Sequence, residues 1–288
     1  MTSNPADIPF GRFSLPPWRE NLRLLAGRLP HNGAGRRMRS LVRRVATAGA
    51  HEPYDIDLFP SVRARVYPRT NLCEKRVFAA AQFYDRAERR ALSRALANSD
   101  SEPFVFVDLG ANVGVYTLWM VSEARRLGRR MRALAVEADP ETFARLTTNF
   151  ALSDADDATA VQCAVGARAG EAHILGHGDN RGQHSIAPEV RADGATVPVH
   201  PLDTLCAEHG LDRIDAMKVD LEGLDHDVLS AFFTSAPKAL WPHWIVVEAG
   251  KQADAPVVSL CSRHGYRLVE RTKLNAVFRR TGAGAETS

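Results

Sequence analysis

The sequence has few cysteines and no long hydrophobic run, and these two absences exclude several classes of protein. The four cysteines lie far apart and include no Cys-x-x-Cys pair, so neither a zinc knuckle nor a disulfide framework is expected. No apolar run approaches the length that crosses a membrane, and the first residues lack the continuous apolar segment of a signal peptide. These absences predict a cytoplasmic protein in a reducing environment, without a membrane span.

The chain also lacks a large excess of charge of one sign, which argues against a nucleic-acid partner. Its net charge is +3 over 288 residues, and a surplus this small does not by itself predict a nucleic-acid-binding surface. The basic residues are not interleaved with aromatic residues that could stack on bases. We therefore expect a small-molecule substrate.

The basic residues are concentrated in the first fifty positions, where nine arginines stand against only Asp7 and Glu20. Apolar residues recur there at helical spacing, and loops are predicted at Pro16-Pro17 and at residues 33–35. Three interpretations compete: a basic helix that caps the catalytic domain or a dimer partner, a surface for an anionic substrate, and a membrane-surface helix. We favour the first, because a solvated charged face is the usual meaning of such a run.

The strongest signal is residues 104–114, Phe-Val-Phe-Val-Asp-Leu-Gly-Ala-Asn-Val-Gly. The apolar run predicts a strand buried on both faces, and helical periodicity begins after it. Gly110 and Gly114 allow a tight turn and a close approach of the backbone to a ligand. Asn112 is the non-glycine residue best suited to a left-handed conformation. Together they predict the strand-turn-helix corner of a nucleotide-binding fold.

This corner lacks the Gly-x-Gly-x-x-Gly sequence that aims a helix N-terminus at a pyrophosphate. Asp108, an acid before the first glycine, suits a ligand with a cationic amine and no phosphate, and S-adenosylmethionine is such a ligand. An NAD-dependent oxidoreductase is the alternative, because it shares the corner and an acid at the end of the second strand.

That acid is Glu137, which follows a predicted strand at residues 132–136 and lies 23 positions after Gly114 (137 − 114). A carboxylate at this place can accept hydrogen bonds from both ribose hydroxyls of an adenosine. A third strand is predicted over residues 158–165, with the adenine edge near Cys163 and Ala164.

The remaining periodicity completes an α/β fold. An amphipathic helix is predicted over residues 74–97, and an irregular, lid-like insertion over about 166–200. Strands are predicted at residues 214–220 and 244–247, followed by a closing hairpin within residues 266–280. The order predicts a Rossmann-like sheet that is mostly parallel with an antiparallel last strand. We assign residues 1–70 to a basic N-terminal extension, mainly helical, and residues 71–288 to the Rossmann-like domain.

An alcohol that accepts a methyl group must lose its proton, which requires a positioned base or a metal. Asp220, at the tip of a strand, is the first candidate for the base. His226 has a suitable ordinary pKa, and His184 lies in the insertion. Glu222 is equally well explained as a carboxylate near a helix start. Asp220 and Glu248 together could hold a Mg²⁺.

Four segments of the chain, taken together, resemble the FkbM family of S-adenosylmethionine-dependent methyltransferases. They are residues 106–117, residues 136–140 with Asn149 after them, residues 201–205, and residues 217–223. The resemblance implies a class I methyltransferase fold and O-methylation of a sugar or other natural-product hydroxyl. The Asp225-His226 pair and the basic N-terminus depart from the family pattern, and both departures concern the substrate.

The segments and the corner together define a set of expected site residues. We expect catalysis to depend on Asp220, Glu222 and His226. The expected cofactor-binding residues are Asp108, Gly110, Asn112, Gly114, Tyr116, Glu137, Ala164 and Asp220. The sequence leaves open whether the protein forms a homodimer. It also leaves open whether the methyl acceptor is a carboxylate or a nucleic acid.

Overall fold

The structure is a computed structural model, which describes residues 8–30, 32–176, 184–187, 195–251 and 255–282; of residues 175, 176 and 184–187 it describes the backbone. Helices and an antiparallel hairpin come before the central sheet. In chain order they are α1 (Pro17–Ala26), α2 (Gly33–Ala46), β1 (Tyr54–Phe59), β2 (Val62–Val66), α3 (Leu72–Ala80), a 3₁₀ turn (Ala81–Phe83) and α4 (Arg86–Ala97).

The rest of the chain alternates strands and helices, as the sequence predicts. The elements are β3 (Phe104–Leu109), α5 (Val115–Leu127), β4 (Met131–Glu137), α6 (Pro140–Leu152), β5 (Ala158–Gln162), β6 (Ala164–Val165), β7 (Gly170–Gly176), β8 (His184–Ala187), β9 (Ala195–His200), α7 (Leu202–Glu208), β10 (Ala216–Val219), α8 (Asp225–Ser235), a 3₁₀ turn (Lys238–Leu240), β11 (Trp244–Glu248), α9 (Pro256–Arg263), β12 (Tyr266–Arg271) and β13 (Asn275–Arg280).

The central sheet has the strand order β12-β13-β11-β10-β3-β4-β5 within the described residues. The strands are parallel except β13, which runs antiparallel to β11 and β12. The predicted Rossmann-like fold class is therefore confirmed, including its antiparallel last strand. Because β3 pairs with β10 and β4 in parallel register, their carboxyl ends meet at one edge of the sheet.

The core divides across the two faces of β3, because successive side chains of a strand point in opposite directions. Phe104 and Phe106 pack with the β1–β2 hairpin and helices α3 to α5. Val105, Val107 and Leu109 pack with helices α7 to α9. The hairpin thus shares one hydrophobic cluster with the central sheet, whereas the proposed boundary at residue 70 stays a prediction.

The single helix predicted over residues 74–97 is wrong. The chain breaks between α3 and α4 at Tyr84 and Asp85, and Asp85 has a left-handed φ of 40°. The buried Arg89 stabilises the break by donating hydrogen bonds to the carbonyls of Tyr84 (2.6 Å) and Ala81 (2.8 Å). The apolar stripe continued across the break, so periodicity alone could not reveal it.

Two further predictions are corrected. Residues 158–165 form two strands in different sheets: β5 joins the central sheet, and β6 joins a second sheet of order β6-β9-β7-β8. Residues 33–35 are not a loop but the first turn of α2, where the side chain of Asn32 accepts a hydrogen bond from the Gly35 N–H. Gly35 is required there by packing, since a Cβ would overlap the carbonyl oxygen of Pro30.

None of the helices in the described ranges is both long enough and apolar enough to cross a membrane.

A buried ion pair fixes the hairpin to the preceding segment. Arg65 Nε lies 2.7 Å from Asp55 Oδ1, and both side chains are almost fully buried. The guanidinium also donates to the carbonyl of Ile8 (2.9 Å), while Asp55 Oδ2 accepts from the N–H groups of Gly11 (2.8 Å) and Phe13 (3.2 Å). This pair therefore connects both hairpin strands to residues 8–13.

Replacing Asp55 with alanine should lower the free energy of unfolding by about 3–5 kcal/mol, because it leaves the buried Arg65 without its counter-charge. Urea unfolding at neutral pH measures the change. Asp57→Ala is the matched control, since its pair with Arg63 is exposed and 3.7 Å apart and such pairs contribute little. Equal losses in the two variants would contradict the assignment.

Candidate active site

A cleft opens at the carboxyl ends of β3, β4, β10 and β11, where ligands of open α/β sheets bind. Helix α3, the turn between α3 and α4, the second sheet and the loop before β13 form its walls. The residues that line it are Leu72, Cys73, Arg76, Tyr84, Asp85, Gly110, Ala111, Asn112, Val115, Tyr116, Val136, Glu137, Ala138, Asp139, Cys163, Ala164, Val165, Ile174, Lys218, Asp220, Leu221, Glu222, Glu248, Leu274 and Asn275.

The corner after β3 has the left-handed conformations that its sequence predicts, with φ of 68° at Gly110, 51° at Asn112 and 86° at Gly114. The glycines are required by close packing within the protein. A Cβ at Gly110 would overlap the carbonyl oxygen of Asp220, and one at Gly114 would lie 2.6 Å from Leu146 Cδ1. Gly110 lines the cleft, whereas Gly114 lies beneath it against α6.

Glu137 is held at the edge of the cleft by backbone N–H groups from two sides. Its Oε2 accepts from the N–H of Asn112 and its Oε1 from that of Asp139, each at 2.9 Å. The Asn112 side chain is fixed in turn, because its Oδ1 accepts from Asn71 Nδ2 at 2.9 Å. The carboxylate is therefore oriented before any ligand arrives.

An apolar slot lies beside Glu137, formed by Val136, Ala138, Ala164 and Ile174 together with Cys163. Burial raises the pKa of the Cys163 thiol to about 12, so this side chain is neutral. The predicted residue Ala164 therefore lies in a wall that suits a flat, uncharged ring.

Lys218 is the central charge of the site, and the sequence analysis did not single it out. Its buried Nζ donates to the carbonyl of Gly110 at 2.6 Å and lies 3.5 Å from Asp220 Oδ2 and 3.8 Å from Asp108 Oδ1. Burial opposes its charge, but the two carboxylates prevail and raise the pKa of Lys218. The only available signal was a lysine inside an otherwise apolar strand.

Asp108 lies behind this lysine and does not line the cleft. It is fully buried, and its Oδ2 accepts from Thr117 Oγ1 at 2.8 Å. Burial raises the pKa of Asp108, and the neighbouring Lys218 opposes this rise. The structure thus gives Asp108 a contact with Lys218 at the position where the sequence analysis expected a contact with a ligand.

Acidic side chains cluster around Asp220 in the cleft. Asp220, Glu222 and Glu248 line it, and Glu222 has a left-handed φ of 49°. Burial, followed by repulsion from Asp220, Glu222 and Asp225, raises the pKa of Glu248 to about 7. Asp225 is structural, since it accepts from the backbone N–H groups of Leu221 (3.1 Å) and Gly223 (3.3 Å).

The break between α3 and α4 brings Tyr84 and Asp85 into the cleft, which sequence periodicity could not predict. The hydroxyl of Tyr116 donates to Asp85 Oδ2 at 3.0 Å, and the rings of Tyr84 and Tyr116 pack edge to face. Burial and the nearby Glu88 raise the pKa of Asp85. Tyr116, a predicted site residue, therefore lines the cleft with a fixed hydroxyl.

His226 does not reach the cleft. Its side chain is 40% exposed on α8, and its Nδ1 lies 3.0 Å from Asp227 Oδ1. The side chain of His184 lies outside the described residues. Within the described part of the chain, no group of three His, Cys, Asp or Glu side chains is arranged to hold a metal ion, so a Mg²⁺ between Asp220 and Glu248 stays a prediction.

Comparison with known proteins gives consistent matches. The family model described as "Methyltransferase FkbM domain" matches residues 108–268. "Methyltransferase sdnD" of Sordaria araneosa is 30% identical over 165 residues, which cover 46% of this chain and 62% of that protein. "Methyltransferase 1" of Beauveria bassiana is 25% identical over 190 residues, which cover 59% of this chain and 70% of that protein.

Among solved structures, methyltransferase FkbM from Methylobacillus flagellatus KT superposes with a TM-score of 0.44 at 15% identity. The superposition covers 90% of this chain and 58% of that one. This chain thus spans less than two thirds of the length of that protein and of sdnD.

The raised pKa of Glu248 predicts a pH-dependent cost to stability. A carboxyl whose pKa is higher in the folded protein than in the unfolded chain keeps its proton longer when folded, so its ionisation destabilises the fold. For Glu248 this cost develops from the ordinary value of 4.5 up to about pH 7 and is complete above it.

Glu248→Gln should therefore be more stable than the wild type at pH 8, and the difference should shrink as the pH falls toward 4.5. Urea unfolding of both proteins across this range measures the difference, in which titrating groups far from Glu248 cancel. A difference that does not vary with pH would contradict the assignment.

Proposed function

Because this chain belongs to the FkbM methyltransferase family, we propose that it transfers a methyl group from S-adenosylmethionine to a hydroxyl of a sugar or other small hydroxylated molecule. The observation that carries the proposal is the placement of acids at neighbouring strand ends around one cleft. Glu137 ends β4, Asp220 follows β10 and Glu248 ends β11. Such a cleft favours a cationic ligand over a phosphate.

The residues of the cleft fit the two ends of this cofactor. The apolar slot at Ala164 and Ile174 suits an adenine, and the oriented carboxylate of Glu137 suits the ribose hydroxyls beside it. Lys218 and the acids around Asp220 would face the methionine end, where a carboxylate and an ammonium both require partners. Asp108 contributes indirectly, by fixing Lys218.

When bound, the cofactor supplies a methyl group on a positively charged sulfur, which is activated for in-line displacement. The protein's main contribution is to hold the acceptor oxygen in line with that carbon. Asp220, whose carboxylate lies 3.5 Å from Lys218 at the cleft, would orient the acceptor hydroxyl or take its proton. Glu248, with a pKa near neutral pH, lies beside it to share the proton.

The cofactor assignment predicts that Glu137→Ala weakens binding of S-adenosylmethionine at least tenfold, because charge-assisted hydrogen bonds contribute about 1.5–3 kcal/mol each. Isothermal titration calorimetry measures the affinity. Glu171→Ala is the control, since Glu171 is exposed on β7 away from the cleft. Unchanged binding by Glu137→Ala, or tight binding of NADH by the wild type, would refute the assignment.

The catalytic assignment predicts that Asp220→Asn lowers turnover about 10²–10⁴-fold, far more than it lowers cofactor affinity. Turnover is measured by mass spectrometry on a panel of glycosides and other hydroxylated molecules, with Asp227→Asn, exposed on α8, as the control. If the variant keeps wild-type turnover, Asp220 is not part of the mechanism. If the wild type binds the cofactor but methylates only amines or carboxylates, the proposed acceptor class is wrong.

A further inference from the structure

The exposed apolar side chains of this protein are concentrated on its first two helices. Of the eight large apolar residues that are exposed in the described ranges, six belong to α1 and α2, and the other two lie on the edge strand β12. We call α1 and α2 the helical pair. Its exposed apolar residues are Trp18, Leu24, Leu25, Met38, Leu41 and Val45.

On α2 these residues form one stripe that the packing of the fold does not use. Met38, Leu41 and Val45 follow each other at helical spacing, so they share a face. A different face of the helix is buried, where Arg39 lies over the ring of Phe83 and donates to the carbonyl of Pro30 at 3.0 Å. The stripe of α2 therefore points away from the protein.

The helical pair is also strongly basic. Its two helices contain seven arginines and one acid, Glu20, whose two oxygens accept from the buried Arg23 at 2.6 and 2.8 Å. Arg37 and Arg44 are exposed and lie four residues before and three residues after Leu41. The apolar stripe is thus bordered by positive charge that no acid of these helices balances.

The charge distinguishes among the partners that such a surface could have. A second copy of the chain would bring two arginine-rich surfaces together, and like charges in contact are repelled. A nucleic acid would pair with the arginines but leave the exposed leucines in water. An anionic lipid surface satisfies both properties, because its headgroups attract arginine and its acyl boundary accepts apolar side chains.

We propose that the helical pair binds the surface of an anionic phospholipid membrane, with the stripe of α2 in the interface. The same helices pack against α3, which contributes Leu72, Cys73 and Arg76 to the cleft. Helix α3 therefore connects the proposed membrane-binding helices to the cleft. This proposal does not depend on the methyl acceptor.

The test is co-sedimentation of the full chain with vesicles of equal parts phosphatidylglycerol and phosphatidylcholine, compared with vesicles of phosphatidylcholine alone. The protein should bind the anionic vesicles, and binding should be lost between about 0.1 M and ~1 M salt because the attraction is screened. Equal binding to both vesicles, or binding to neither, would overturn the proposal.

Matched variants locate the surface. Leu41→Glu and the double variant Arg37→Glu with Arg44→Glu should each lower the partition coefficient at least tenfold. Leu268→Glu, the same type of change at an exposed leucine of β12, should leave it unchanged. All three change exposed side chains, so their unfolding midpoints and cofactor affinities should match the wild type.

Two results would contradict the location. If Leu41→Glu binds the anionic vesicles as tightly as the wild type, the stripe is not the binding surface. If sedimentation velocity shows a wild-type dimer that Leu41→Glu dissociates, and the wild type does not bind vesicles, a second copy covers the stripe instead.

Discussion

The site depends on one buried ammonium group between two carboxylates. Lys218 on β10 lies between Asp108 at the end of β3 and Asp220 just beyond β10. Removing one partner of a buried charge cluster leaves an uncompensated charge, which costs several kcal/mol. The lysine also donates to the Gly110 carbonyl, so it ties the glycine turn to the neighbouring strand. This cluster holds the strand ends together and gives the cleft its shape.

The same cluster explains the electrostatics of the cleft. The positive charge of Lys218 is offset by the two carboxylates beside it, Asp108 and Asp220. The remaining acids therefore make the net charge of the cleft negative where the methyl acceptor would bind. Glu222 and Glu248 add negative charge there, and burial together with repulsion from Asp220 and Glu222 raises the pKa of Glu248 to about 7. Negative charge of this kind favours a cationic ligand such as a sulfonium, which supports the proposed function.

Much of the fold could be predicted from the sequence, because the four strands at the cleft are short, mostly apolar runs with an acid or a glycine at or just after their ends. The side-chain roles could not be predicted in the same way. Asp108 is correctly placed at a strand end, yet its side chain faces Lys218, since pairing across β3 and β10 decides which groups meet. His226 is correctly placed near the start of α8, but the rotation of that helix exposes it.

The turn at Tyr84 and Asp85 could not be predicted from the spacing of apolar residues. The carbonyls that the break releases are bound by the side chain of Arg89 from the next helix, a contact that the spacing of apolar residues does not indicate. In the basic N-terminal segment, by contrast, the sequence indicated the helices but not the exposure of their apolar residues. Its helices could be recognised from spacing and charge, whereas the fact that their apolar residues remain exposed required the structure.

The most direct test of the central claim is a crystal structure with S-adenosylhomocysteine, the product that remains after methyl transfer. We expect its ribose hydroxyls to contact Glu137, its adenine to lie against Ala164 and its sulfur to face Asp220. A crystal in which the compound binds outside the cleft, or in which its ribose makes no contact with Glu137, would contradict the account.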